Sequence, residues 1–176
     1  MSELRRRLHE ITDNGAPQTH QDLIESLRCE LPHSIEVVQA TVPNDRYTCV
    51  MHALDIVEDA EYIEIVAAAP RDIFASPRFV ERLISQGHLH ELAEPADGSL
   101  VVYCDQGSVK HIGRLLTAMR VESKWGVGCL YHHGLLEVPE NYGSELRFFS
   151  SVDREFALDR YVEYAREHGV QFEGDA

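Results

Sequence analysis

Between Gly98 and Gly126 the chain carries three apolar runs, GSLVVYCD (98–105), VKHIGRLLT (109–117) and MRVESKWG (119–126), separated by connections too short to hold a helix. Gln106-Gly107, lying between the first two runs, has the composition of a tight hairpin turn. The stretch therefore predicts an antiparallel meander, and ELRFFS (145–150) adds a fourth strand-like run. Whatever surrounds these strands must cover a sheet.

The flanking segments read mostly as helices. Residues 2–12 and 20–31 have apolar residues at helical spacing and are parted by the turn-rich DNGAPQT, with Thr19 placed to cap the second. IEVVQATV (35–42) is strand-like and is broken by Pro43-Asn44-Asp45. A helix begins near Tyr47 or Thr48, because Val50, Ala53, Leu54 and Val57 recur at the i, i+3, i+4, i+7 spacing of a buried stripe roughly three turns long. EYIEIVAAA (61–69) is ambiguous between strand and helix. PRFVERLISQG, preceded by Ser76, has a capping residue, a first-turn proline and a closing glycine, and DREFALDRYVEYAREHG reads as a C-terminal helix. Helices first and an antiparallel meander afterwards predict an α+β fold in one domain, residues 1–176, with no internal repeat or linker.

Composition narrows what such a domain can do. Sixteen Lys and Arg stand against 30 Asp and Glu, a formal net charge of −14, so the surface field repels polyanions; a nucleic-acid partner is not expected. The one basic cluster, Arg5-Arg6-Arg7, reads as the solvated face of the first helix. No run approaches the roughly 20 apolar residues needed to cross a bilayer, and no apolar core follows the N-terminal charges. No membrane association and a cytoplasmic location are therefore expected, with export by a signal-independent route left open. Four widely spaced cysteines, Cys29, Cys49, Cys104 and Cys129, suit reduced thiols better than a disulfide framework.

Chemistry centres on Cys49. A thiol becomes nucleophilic as the thiolate, and the unpaired N–H groups of a helix start lower its pKa. A cysteine hydrolase also needs a histidine, usually from a distant strand, to take and return a proton. His111 meets that description. Strand alternation places His111, Gly113 and Val109 on one face, with Lys110, Ile112 and Arg114 on the other, and the missing side chain of Gly113 leaves room for a substrate backbone. A third polar group that orients the imidazole would come from the next strand, as Ser123 or Glu122; these lie on opposite faces, so at most one points at His111. A charged Lys124 cannot accept the imidazole N–H. Trp125 and Tyr142 flank an irregular segment, 126–144, whose length suggests a functional loop, and Trp125 and His133 are candidate substrate contacts there.

Cys49 at a helix start, followed by GSLVVYCDQGSVKHIGRLL and a strand ending in SKWG, resembles the papain-fold cysteine hydrolases of the NlpC and CHAP type. In those families a Gly-Asp-Leu-Val strand follows the cysteine helix, and a later His-Val-Gly strand bears the base. Gly98-Ser99-Leu100-Val101-Val102-Tyr103 matches the first strand, with Ser99 where Asp is commoner, and His111-Ile112-Gly113 matches the second. SKWG with LYHHGLLEVPENYG is similar to an uncharacterised sub-group of that superfamily. The resemblance implies a papain-like fold with a core over 45–150, N-terminal helices over 1–40 packed on the sheet, and a C-terminal helix over 151–170. It implies a peptidase or amidase acting on a peptide or peptidoglycan-like substrate, with Cys49 as nucleophile, His111 as base and no cofactor. An inactive papain-like domain that binds a protein partner, and a deamidase or transglutaminase using the same Cys and His, are the alternatives.

Other polar residues carry less. Cys29 and Cys104 read as structural, and His52, one turn after Cys49, as a helix-flank residue. His88-Leu89-His90, His132-His133 and Cys49-x-x-His52 invite a metal, but the two paired motifs of a zinc site are missing, so no metal is expected.

Overall fold

The computed structural model describes residues 2–38, 47–57, 76–126 and 128–171. Helix α1 (Glu3–Asn14) starts at Ser2, whose hydroxyl accepts the Arg5 N–H. A 3-10 turn (Pro17–Thr19) leads into α2 (His20–Leu27). Thr19 does occupy the cap position of α2, yet its hydroxyl donates to the Ala16 carbonyl at 2.8 Å and makes no capping bond, because the preceding 3-10 turn holds Thr19 itself in a helical conformation. Strand β1 (Glu36–Val38) follows; residues 39–42, the Pro43-Asn44-Asp45 break and the ambiguous run 61–69 lie outside the described residues.

Helix α3 (Cys49–Ala53) begins at Cys49 but is a single short helix rather than three turns. Leu54 leaves helical geometry and Asp55 has a φ of +62°, so the chain turns away. Val50, Ala53 and Leu54 are nonetheless buried as their spacing predicts. Helix α4 (Pro77–Ser85) has its proline at the first turn, and Ser76 sits at the cap position without a side-chain capping bond. The sheet then forms from β2 (Glu91–Leu92), β3 (Leu100–Asp105), β4 (Ser108–Thr117), β5 (Arg120–Lys124), β6 (Leu130–Gly134) and β7 (Glu145–Phe149), and the described chain closes on α5 (Arg154–Glu167), capped by Asp153.

The strands make one seven-stranded sheet in the order β1-β6-β5-β4-β3-β7-β2, every neighbour antiparallel. Strands β3 to β5 are the predicted meander. Gln106 and Gly107, at φ +50° and +77°, make the left-handed two-residue turn that suits the twist of a hairpin. The fold is α+β, with helices on both faces. One core lies under α3, α4 and α5, built around Met51, Phe79, Val102, Ile112 and Tyr161. The other lies under α1 and α2, built around Leu8, Ile24, Tyr103, Trp125 and Tyr131.

Two strands escaped the sequence reading. Segment 126–144 is not irregular throughout: it contains β6, whose LYHHG hides a strand because two adjacent histidines look polar although His133 is fully buried. Strand β2 is two residues long, too short for any periodicity. No helix among the described residues is long and apolar enough to cross a membrane.

Candidate active site

Cys49 is the first residue of α3, and the turn that presents it is closed at both ends. The Thr48 hydroxyl accepts the Met51 N–H at 3.3 Å, and the Met51 sulfur takes the Thr48 N–H at 3.0 Å. Backbone hydrogen bonds from Ile112, Val50 and Cys49 itself reach the thiol, and the Lys124 ammonium acts on it electrostatically. All of these favour the thiolate. Burial outweighs them and pushes the Cys49 thiol up, not down. The expectation that the helix start lowers it is reversed, because desolvation opposes a full charge whereas a helix of five residues offers only a partial one.

His111 lies on β4 opposite Tyr103, and the register shifts immediately afterwards so that Cys104 faces Val109. This bulge takes up Lys110 and corrects the expected alternation. Val109 joins Ile112 in the core under α3, while His111 points to the opposite face, against Tyr103 and Tyr142. The imidazole is 1% exposed, and its Nε2 is buried with no hydrogen-bond partner. Burial, then the fields of His133 and Lys124, hold its pKa well below that of a free histidine.

Among the described residues no hydrogen bond joins the Cys49 sulfur to His111. Two groups bridge them. Tyr142 stacks on the imidazole at 4.1 Å between ring centroids and 12° between planes, and its hydroxyl interacts with Cys49 and with the Gly126 backbone. Lys124 acts on both the thiol and the imidazole; its Nζ donates to the carbonyls of Gly126 (2.5 Å) and Gly128 (3.0 Å) and sits 5.0 Å from the Tyr47 ring centroid. The site lies where the β4–β5 ladder ends: its last described pair is Arg114–Glu122, and α3 lies against both strands beyond it.

Neither proposed orienting residue touches His111. Ser123 is on the same face, but its Oγ stands 2.7 Å from His133 Nε2 and accepts the Trp125 N–H at 3.0 Å. His133 Nδ1 faces the Gly134 carbonyl at 2.8 Å, so that nitrogen carries the proton, and the Ser123 hydroxyl must donate to Nε2. The proton of Ser123 is thereby committed. His133 stays neutral, its pKa brought down to about 4 chiefly by burial. Glu122 points to the α3 face, where one carboxylate oxygen takes His52 Nε2 at 2.9 Å and the other His132 Nε2 at 2.7 Å. The His52 bond is the largest influence bringing the Glu122 carboxyl down to about 2. So Glu122 ties the cysteine helix to β5 and β6, and His52 is a structural anchor. Each imidazole meets its own oxygen, and among the described residues no group of three side chains is arranged to hold a metal.

The expected substrate contacts are buried. Trp125 and His133 are 0% exposed and pack against each other and Tyr131, so they support the loop above them rather than presenting a surface. Space beside Gly113 is filled by the protein: a Cβ there would stand 2.7 Å from Val121 Cγ1 and 2.9 Å from Ser123 Cβ. The basic cluster is also split. Arg6 and Arg7 pair with glutamates at the surface, whereas Arg5 is buried and donates to the carbonyls of Val138 (3.2 Å), Pro139 (3.3 Å) and Gly143. Its position on the same helical face as the core residue Leu8 was the available signal. From α2, buried His20 fills the space beside Gly128, where a Cβ would stand 2.5 Å from His20 Nδ1. The N-terminal helices thus hold both loops that form the site.

No protein-family model matches the chain, and no curated protein and no solved structure matches it.

Proposed function

We propose that the protein is a cysteine-dependent amide hydrolase of the papain-like, NlpC/CHAP type, with a peptide or peptidoglycan-like substrate. The observation that supports this reading is His111: a fully buried imidazole with an unpartnered Nε2, adjacent in sequence to the residue whose backbone bonds the Cys49 thiol. A buried polar atom without a partner costs stability, and such costs concentrate where chemistry needs the atom.

In this reading the resting pair is neutral. On substrate binding the Cys49 sulfur attacks the amide carbonyl while His111 takes the thiol proton; the carbonyl oxygen becomes an oxyanion facing the N–H groups at the start of α3. The C–N bond then breaks as His111 protonates the leaving amine, leaving a thioester. Water attacks the thioester, His111 takes its proton and returns one to the sulfur, and the carboxylic acid leaves. A neutral imidazole is the correct starting form for this base.

The test is amine release from peptide and peptidoglycan-stem amides at pH 7. Wild type is expected to turn over a member of such a panel, with Cys49→Ala and His111→Ala each reduced by at least about 10²-fold. Ammonia released from a glutamine side chain in place of an amine would reassign the same Cys and His to deamidation. The second reading, an inactive papain-like domain that binds a protein partner, is favoured by the missing Cys49–His111 hydrogen bond and the raised thiol. It wins if wild type shows no turnover and an acyl-type electrophile labels Cys49 equally fast in wild type and His111→Ala.

A further inference from the structure

A base histidine is normally held in one orientation by a polar partner on its second nitrogen, but here both candidates for that task are committed elsewhere. Ser123 gives its proton to His133, and Glu122 faces the opposite side of the sheet with an imidazole on each oxygen. Contacts to aromatic rings surround His111 instead. Tyr103 is tilted against it at 5.5 Å, and Tyr142 lies nearly parallel to it at 4.1 Å. A stacked ring restricts the tilt of an imidazole while leaving both ring nitrogens unoccupied.

Tyr142 is itself held with unusual completeness. It closes a 3-10 turn (Glu140–Tyr142), its N–H bonding the Pro139 carbonyl at 3.2 Å and the Gly143 N–H bonding Glu140 at 3.1 Å. Gly143 has a φ of +85°, and a Cβ at that position would stand 2.1 Å from the Cys104 carbonyl oxygen, so the turn is pressed directly on β3. The buried Arg5 guanidinium, reaching across from α1, then gathers the carbonyls of Val138, Pro139 and Gly143, which bracket the turn. A cation is well suited to three convergent carbonyl oxygens, and the planar fork of Arg fixes their relative positions as a lysine would not.

We propose that Tyr142, locked by Arg5, is the positioning residue of His111, replacing the polar third member of the usual Cys-His set by ring stacking. Its ring sets the imidazole plane, and its hydroxyl, beside Cys49 and the Gly126 backbone, holds the ring in place without taking part in the proton transfer. This rests on the reading of His111 as the base, and the inference carries its own readout. The Glu140–Tyr142 turn within segment 126–144 acquires a function through it: the turn aligns a side chain beneath it.

The experiment is a ring-nitrogen NMR titration of His111 in wild type, Tyr142→Phe, Tyr142→Leu and Arg5→Lys, with amide turnover measured beside it. Tyr142→Leu keeps an apolar filler and guards against loss of fold. The expected result is that Tyr142→Phe retains the wild-type His111 titration and ring shifts, while Tyr142→Leu and Arg5→Lys move the titration toward the free-histidine value of about 6.5 and broaden the ring signals. Turnover should fall about 10- to 100-fold in Tyr142→Leu through kcat, with KM little changed, and be largely restored in Tyr142→Phe. An unchanged His111 titration in folded Tyr142→Leu overturns the proposal, whatever the activity. A shifted titration in a protein that turns over no amide upholds the positioning role and removes the hydrolase reading.

Discussion

The two faces of the sheet treat their polar side chains in opposite ways. Under α3, ionic groups are kept and partnered: Glu122 is shared by His52 and His132, and the Lys124 ammonium takes the carbonyls of Gly126 and Gly128. Under α1 and α2, the polar groups carried by the strands are neutral, and the one buried cation, Arg5, comes from the helix and binds loop carbonyls: His133 and Ser123 satisfy one another with Trp125, and His111 stands among tyrosines with a nitrogen unpartnered. The first arrangement fixes the helix that carries Cys49. The second keeps an imidazole unprotonated in a dry environment. The Cys49 thiol and the His111 imidazole therefore lie on faces with different electrostatics, and burial favours the neutral form of each.

Breaking the neutral face should have the largest effect. Trp125 is fully buried against Tyr131 and His133 and is the N–H donor to Ser123, so Trp125→Ala should cost about 3–5 kcal/mol in urea unfolding, at the upper end for core truncations. A loss below about 1 kcal/mol would show that this face is not packed as described. Next comes the division of the arginine cluster. Arg5→Ala leaves three loop carbonyls without their buried donor and should cost about 2–4 kcal/mol, whereas Arg6→Ala, whose pairs with Glu3 and Glu10 are exposed, should leave the unfolding midpoint nearly unchanged. Equal losses from the two would erase the distinction between clamp and surface.

Acid sharpens the comparison with the smallest effect per step of one pH unit. His133 titrates at about 4 when folded and His111 well below its ordinary value, so the unfolded chain binds those protons first. Their contribution is present above about pH 6.5 and is lost as pH falls toward the folded values, on the order of 1 kcal/mol per group per pH unit. Glu122 is depressed to about 2, so its contribution is fully present above about pH 4.3 and is lost progressively as pH falls from there through 2. Urea unfolding across pH should therefore weaken the neutral face first. His133→Gln should flatten the loss between about pH 6 and 4, and Glu122→Gln only the loss below about pH 4. A Glu122→Gln effect confined to the higher window would contradict the assignment.

Legibility followed locality. The meander from β3 to β5, the Gln106-Gly107 turn and the helices α1, α2, α4 and α5 were all readable, because hydrophobic period, turn composition and caps act within a few residues. The short α3 was overextended because Val57 continued the apolar spacing past Asp55, where the backbone turns left-handed. Strand β6 was missed because burial of His133 is a tertiary property. In the site, Cys49 at a helix start and His111 on a strand were placed correctly as elements. Their partners were not: Ser123 and Glu122 had the right strand, but their hydrogen-bonding capacity is used by His133, Trp125, His52 and His132.

By itself, then, the sequence determined an α+β chain in which a cysteine opens a helix and a histidine lies on the middle strand of a meander. Only the tertiary structure decided which way those side chains face and what state they rest in. One bulged residue, Lys110, inverts the face expected for Val109, and no periodicity argument can detect it. Thiol and imidazole are both held in the neutral form by burial, which sums the packing of distant segments, whereas the helix start that favours a thiolate is local. The residues that steady His111, Tyr142 and through it Arg5, come from a loop and from the first helix, far apart in the chain and brought together only by folding.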